Sequence, residues 1–185
     1  IRLLNSDALT FIEDCSQNPD YQEVIKKIGD EKIRKKEDQE LVLRFFALKN
    51  DIEHYKFPVA EYLTNYLEGI TTQEKPFDYI KEKEIFDKTF KIINLNLGDS
   101  AFSSITKAKN IKNDFVTYLF DGISIAIANL VDRIAVDKKN VKIEEKVYDI
   151  KIGSELQSYK TGTMSSLNKR IELFKEGVEN VIDER

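Results

Sequence analysis

The residue whose type and position most suggest a specific role is Arg44. It is the only charge in the apolar run 41–48 (LVLRFFAL). Glu40 lies four positions earlier, a spacing that brings two side chains together on one face of a helix. On one interpretation they form a half-exposed pair, worth about 0.3 kcal/mol. On the other, Arg44 lies desolvated against a second element and requires a fixed carboxylate there. Glu40 and Arg44 are therefore candidates for a buried ion pair or an inter-domain contact.

A second group of residues is suited to binding an anion. Residues 161–166 (TGTMSS) are small and rich in hydroxyl groups, and they precede a predicted helix. The N-terminus of a helix offers free N–H groups that can bind phosphate. The same hydroxyl groups also suit ordinary helix capping, which is the alternative. The candidates for an anion or partner contact are Thr161, Gly162, Thr163, Lys169 and Arg170.

Other kinds of chemistry have little support in the sequence. One histidine, His54, and one cysteine, Cys15, exclude a zinc site built from Cys and His. No Gly-x4-Gly-Lys-Ser/Thr phosphate loop is present, and the acidic residues are spaced as on solvated helix faces. The lysines of 107–112 lack the interleaved aromatic residues of a nucleic-acid platform. We therefore expect no catalytic residue, no metal and no cofactor in this chain.

The composition indicates a helical protein that folds as one domain. Of 185 residues, 41% are hydrophobic and only 7 are Gly and 3 Pro, which favours long helices. The net charge of −4 gives no general attraction to nucleic acid or to a membrane surface. A single cysteine and no secretory signal indicate a cytoplasmic location. The most apolar window, 122–131, is shorter than the about 20 residues that span a bilayer, so we predict no membrane segment.

The spacing of apolar residues predicts an all-α fold, a single bundle of seven or eight helices over residues 1–185. Residues 30–36 are predicted to be a charged connector. Residues 141–159 alternate partly like a strand, and we favour a helix because an isolated strand has nothing to pair with. The expected helix starts are Ser6 or Asp7, the segment before Tyr21, the segment before Leu41, Pro58, Pro76, Asn113, Val141 and the segment before Leu167.

Several segments, taken in order, are distinctive. The most specific is 38–48 (DQELVLRFFAL), with its Glu-Leu-x-Leu-Arg-Phe run. It is accompanied by Ile1-Arg2, Asn18-Pro19, Tyr55, Leu97-Gly98 with Ala101-Phe102, and Thr161-Gly162-Thr163 with Arg170-Ile171. Together they resemble the N-terminal family of GmrSD-type modification-dependent restriction endonucleases, also called domain of unknown function 262. The resemblance spans nearly the whole chain but covers only the helical C-terminal half of that family.

The resemblance implies a supporting domain rather than an enzyme. Family members carry an N-terminal half with a ParB/sulfiredoxin-like fold, whose Asp-Gly-Gln-Gln-Arg motif is associated with nucleotide binding and hydrolysis, and an HNH-type nuclease domain often follows. Here the only Asp-Gly pair is Asp121-Gly122, followed by Ile-Ser-Ile. No catalytic residue of the family therefore carries over to this chain.

Two functional expectations follow. The first is a non-catalytic helical fragment of a longer, restriction-like, phage-defence protein, since the chain begins at Ile1 rather than Met. Its partner would be its own missing half, with nucleic acid bound only through the full-length protein, which would be a nucleotide-dependent endonuclease. The alternative is a self-contained all-α protein-interaction module unrelated to nucleic acid. Both leave the oligomeric state open.

Overall fold

Helices dominate the chain, as the apolar spacing predicts. The computed structural model describes residues 6–183, apart from the side chains of Ser6 and Arg34. In this range ten α-helices and three short 3-10 helices form and no β-strand does, which confirms the all-α fold class. The α-helices are α1 (Ser6–Ser16), α2 (Pro19–Ile25), α3 (Asp30–Arg34), α4 (Glu37–Asp51), α5 (Val59–Thr71), α6 (Tyr79–Leu97), α7 (Thr117–Asn129), α8 (Val141–Ile152), α9 (Ser154–Gln157) and α10 (Met164–Asp183).

The number of helices exceeds the predicted seven or eight because two of them are very short. The charged segment 30–36 is not a plain connector: it contains α3. The ambiguous segment 141–159 is helical, as we favoured, but it divides at Gly153 into α8 and α9. Helices of one turn present too few apolar positions for a periodic pattern to reveal them.

Two predicted helix starts are wrong. Helix α6 begins after Asp78 rather than at Pro76, because the Asp78 carboxylate accepts hydrogen bonds from two N–H groups of the first turn, each at 3.1 Å. Helix α7 begins at Thr117, so Asn113 does not cap it. In both cases an extended segment of a few residues separates the predicted start from the helix.

Helix α7 runs through the centre of the molecule. Every residue from 119 to 128 is buried, and the helix packs against α4, α6 and α10. Gly122 allows α10 to approach closely, because a Cβ atom there would lie 3.0 Å from Cδ2 of Phe174. Among residues 6–183, no helix has both the length and the apolar character needed to cross a membrane.

The apolar run around Arg44 supplies much of the core. Phe45 and Phe46 on α4 are buried, and their rings lie 5.4 and 5.6 Å from the ring of Phe86 on α6. Phe90, one turn further along α6, packs against Phe45 at 5.4 Å. These contacts fix α4 against α6, so the position of Arg44 on the remaining face of α4 is fixed as well.

Candidate functional site

The two groups of residues singled out in the sequence meet around one carboxylate. Arg44 comes from α4, Asp121 from the second turn of α7, and Arg170 from the second turn of α10. We call these three residues the arginine site. Positions 77 residues apart in the chain are joined here, because the packing of α4 and α10 onto α7 brings their side chains together.

Arg44 and Asp121 form a two-point ion pair. Nε and Nη2 of Arg44 donate to the two carboxylate oxygens of Asp121 at 2.6 and 2.7 Å. The Arg44 side chain is 12% exposed and that of Asp121 only 2%. Planar, two-point pairing of this kind matches the fork of a guanidinium to a carboxylate and is stronger than a single contact. Arg44 is therefore desolvated against another helix and held by a fixed carboxylate.

The charge of Arg44 is stabilised by Asp121 despite its burial. Burial by itself lowers the pKa of Arg44, but the hydrogen bonds and charge of Asp121 outweigh burial and raise that pKa above its ordinary value. Of the two interpretations, pairing with Glu40 is wrong: Glu40 lies exposed on the same helix and adds only a weaker attraction to Arg44. A cleft of about 70 Å³ beside Arg44 is far too small for a nucleotide.

Arg170 is turned inward instead of lying on the surface. The residue is 2% exposed. Its Nη1 donates to the backbone carbonyl oxygens of Tyr159 and Thr161, the latter at 2.9 Å. The guanidinium carbon lies 5.9 Å from the ring centroid of Tyr118, a cation–π distance. Arg170 thus holds the loop before α10 against the body of the molecule.

The charge balance at Arg170 is less complete. Burial lowers the pKa of Arg170, the charge of Asp121 opposes that shift, and the charge of Arg44 adds to it. In the part of the chain that the structure describes, its Nε is buried without a hydrogen-bond acceptor. The Asp121 carboxylate therefore stabilises the charges of both guanidinium groups, but it forms hydrogen bonds with Arg44.

The loop before α10 has the geometry of a helix cap. The Thr163 hydroxyl accepts a hydrogen bond from the Ser166 N–H at 3.2 Å, and the Thr161 hydroxyl lies 2.6 Å from that of Ser166. The hydroxyl of Tyr55 donates to the carbonyl of Gly162 at 3.2 Å. The hydroxyl groups that would meet an anion are thus engaged with one another, with Lys169 exposed outside them.

Cys15 and the cluster around His54 are the other groups that the sequence offered for chemistry. Burial raises the pKa of Cys15 to about 12, so it stays a protonated thiol near neutral pH. Asp51, Glu53 and His54 bring ligand atoms within 4.8 Å of one another, the spacing of a metal site. However, the ammonium group of Lys75 lies 3.0 Å from Oδ1 of Asp51 and supplies the positive charge that a metal ion would bring.

Sequence reasoning missed three residues of this region. Asp121 borders the most apolar window of the chain, and a charge at such a border is a signal of a buried ion pair that could have been used. Tyr55 entered only through the resemblance, and nothing in the local pattern points to Tyr118. No protein-family model, curated protein or solved structure matches the chain.

Proposed function

We propose that this chain is a non-catalytic helical domain that supports a nucleotide-binding or nuclease half of a restriction-like, phage-defence protein. The observation behind the proposal is that the charged groups of the arginine site bind other groups of the same chain rather than pointing into a pocket. Both oxygens of Asp121 bind Arg44, and Arg170 binds the chain's own carbonyl groups. Charges used in this way stiffen a structure, whereas a catalytic site needs groups that face a substrate.

The arginine site supports this role because it ties distant parts of the fold together. Arg44 links α4 to α7, and Arg170 links α10 to the loop that precedes it. The bond from Tyr55 to Gly162 adds the segment after α4. A surface held at several points keeps its shape when another domain binds to it, which reduces the entropy lost on binding.

The loop before α10 is the surface that we propose to face the missing half. Thr161, Gly162 and Thr163 are exposed. Lys169 lies in the second turn of α10, with its ammonium group 5.3 Å from the ring centroid of Tyr159. Arg170 fixes this loop from within. Two of the segments that carry the resemblance, 38–48 and the one that includes Arg170, each contribute one arginine to the arginine site.

The coding sequence upstream of Ile1 is the first test. We expect an Asp-Gly-Gln-Gln-Arg segment in the same reading frame. A start codon beside Ile1 with no such segment upstream would contradict the proposal.

The second test compares nucleotide hydrolysis by the long and short proteins. With ATP or GTP as the probe, we expect the long protein to release phosphate and this chain alone to release none. Phosphate release by this chain alone, absent from a matched sample unfolded in urea, would make it an enzyme.

One observation favours the alternative of a self-contained interaction module. A groove of about 280 Å³ lies between α4 and α5. Leu43, Leu63 and Leu67 form its apolar floor, and Glu40 and Glu68 lie at its edge. An amphipathic helix with basic flanks would fit such a groove. If the upstream sequence lacks the expected segment, Leu67→Asp should abolish binding of such a helix and leave the fold intact.

A further inference from the structure

Lys151 is a buried lysine that has no ion-pair partner among the residues described by the structure. It lies in the last turn of α8 and is 9% exposed. Its Nζ donates to the backbone carbonyl of Ser100 at 2.8 Å. Within residues 6–183, no carboxylate forms an ion pair with it. A buried lysine without an ion-pair partner is rare, because an ammonium group that is removed from water is normally paired with a carboxylate.

A small cavity opens beside the amine. Its volume is about 50 Å³, and it lies between α8 and the segment that follows α6. Ile105 and Ile111 form an antiparallel bridge that closes one side. The walls are partly apolar and partly polar. The apolar side chains are those of Leu97, Ile105, Ile111 and Val147, and the polar groups come from Ser100, Glu144 and Tyr148.

The charges around Lys151 favour its uncharged form. Burial lowers its pKa to about 7, the nearby ammonium group of Lys27 adds to that shift, and Asp114 opposes it. Asp114 is engaged elsewhere, since its carboxylate accepts from the N–H and the hydroxyl of Ser104. Near neutral pH a large share of Lys151 is therefore a free amine, the form that attacks electrophiles. Desolvation beside a second cation is a recognised way to activate a lysine.

We propose that Lys151 is a carbamylation site, at which the uncharged amine adds to carbon dioxide in the adjoining cavity. The nitrogen lone pair forms an N–C bond, and one C=O π pair moves onto oxygen. The nitrogen then loses a proton to solvent, which leaves a carbamate and one released H⁺. The step needs no oxidant, reductant or second substrate.

Two features select carbon dioxide among electrophiles. A cavity of about 50 Å³ has room for no more than about two water-sized groups, because a water molecule in the liquid takes about 30 Å³, so only a very small electrophile fits. Entry into this partly apolar cavity removes less hydration from an uncharged molecule than from an anion such as bicarbonate.

Lys27 supplies the countercharge that the product requires. Its side chain is 15% exposed, and its two polar contacts are long, 3.3 Å to the Ser103 hydroxyl and 3.7 Å to Asp99. It repels the ammonium form of Lys151 and would attract the carbamate, so the reaction converts a repulsion into an attraction.

The test is chemical trapping with site mapping on the whole chain. The protein is equilibrated with carbon-13-labelled bicarbonate near neutral pH, carbamates are ethylated with a trialkyloxonium salt, and the digest is mapped by mass spectrometry. An ordinary lysine is about one part in a thousand uncharged near pH 7.4. We therefore expect labelling of Lys151 to exceed that of exposed lysines such as Lys169 by at least about tenfold.

Two variants sharpen the result. Lys151→Arg should remove the label from this peptide and leave the labelling of the α-amino group unchanged. Lys27→Gln should lower the label at Lys151 at least about threefold, since the carbamate loses its countercharge. Because the site is mapped in the unmodified chain, misfolding of a variant cannot hide the answer. Labelling of Lys151 no greater than that of Lys169 would overturn the proposal.

Discussion

Arg44 and Lys151 are both basic residues that are buried by the fold, but their surroundings shift the pKa values of the two side chains in opposite directions. Arg44 meets a carboxylate at two points, 2.6 and 2.7 Å away, and its pKa is raised. Lys151 meets a single backbone carbonyl at 2.8 Å, and its pKa falls to about 7. Burial disfavours the charge in both. The difference between them is the presence of Asp121.

The side-chain chemistry explains why each residue suits its position. A guanidinium remains charged in a protein, so it can be buried only with a partner, and its planar fork suits a carboxylate. An ammonium group can lose its proton instead, so Lys151 can be buried without a partner. We therefore regard the arginine site as a structural element and Lys151 as a potentially reactive one.

The largest effect should come from removing the carboxylate between the arginines. Asp121→Asn keeps the size of the side chain but leaves Arg44, 12% exposed, without its countercharge. Loss of one partner of a buried pair costs about 3–5 kcal/mol, and we expect about 3 because Arg44 retains some contact with water. Urea unfolding followed by circular dichroism would measure the change.

The double variant Arg44→Met/Asp121→Asn is the matched control. If the single change is harmful because it strands a charge, removing both charges should be less damaging than the sum of the two single changes. Additive effects would mean that the two residues are not energetically coupled.

Lys151 should produce the next largest effect, through pH. Unfolded, it holds its proton to about pH 10.4, whereas folded it loses the proton at about pH 7. Unfolding therefore takes up a proton between these values, and stability must rise with pH across this window. From about pH 7 to about pH 9 we expect a gain of about 2 kcal/mol from this residue.

The comparison with Lys151→Met isolates that gain. This variant should be more stable than the unmodified chain at pH 7 and should lack the rise attributed to Lys151. Lys169→Met, which removes an exposed lysine, should keep the rise. Degassed buffer keeps carbon dioxide out of the measurement. The same pH slope in all three proteins would show that Lys151 remains an ordinary lysine.

Much of the fold follows from the sequence because it depends on local patterns. The apolar residues of α5 and of α7 recur at helical spacing, which predicts both helices. The preference for a helix over a strand in the segment that begins at residue 141 is confirmed by α8. The boundaries of α6 and α7 were not predictable in the same way. They depend on where the preceding chain stops being extended, which the packing of neighbouring segments decides.

The site was predictable only in part, for a related reason. Helical spacing names Glu40 as one possible partner of Arg44, and the desolvated alternative requires a carboxylate on another element without naming it. Asp121 is 77 positions away and is brought near only by folding. The inward turn of Arg170 likewise depends on the contact between α7 and α10 at Gly122. Lys151 lies in a charged segment, so nothing in the sequence distinguishes it from its exposed neighbours.

Arg170 should give a smaller effect than Asp121, because its partners are neutral. Arg170→Met removes the donors to the carbonyl groups of Tyr159 and Thr161. The two carbonyls are near the surface and can bind water, so we expect a loss of about 1–2 kcal/mol. Amide hydrogen exchange should speed up in 159–166 and stay unchanged in α4. Lys169→Met is the matched control, and equal exchange in the two variants would argue against the loop-fixing role.

The smallest effect belongs to Glu40, and it tests the comparison most directly. Local spacing makes Glu40 the natural partner of Arg44, yet the structure gives that role to Asp121 and leaves Glu40 exposed. Glu40→Ala should therefore change the free energy of unfolding by less than about 0.5 kcal/mol, the range of an exposed charge. The same urea unfolding serves here, with Asp121→Asn measured beside it. A loss close to that of Asp121→Asn would mean that proximity along the helix, rather than the distant carboxylate, stabilises Arg44.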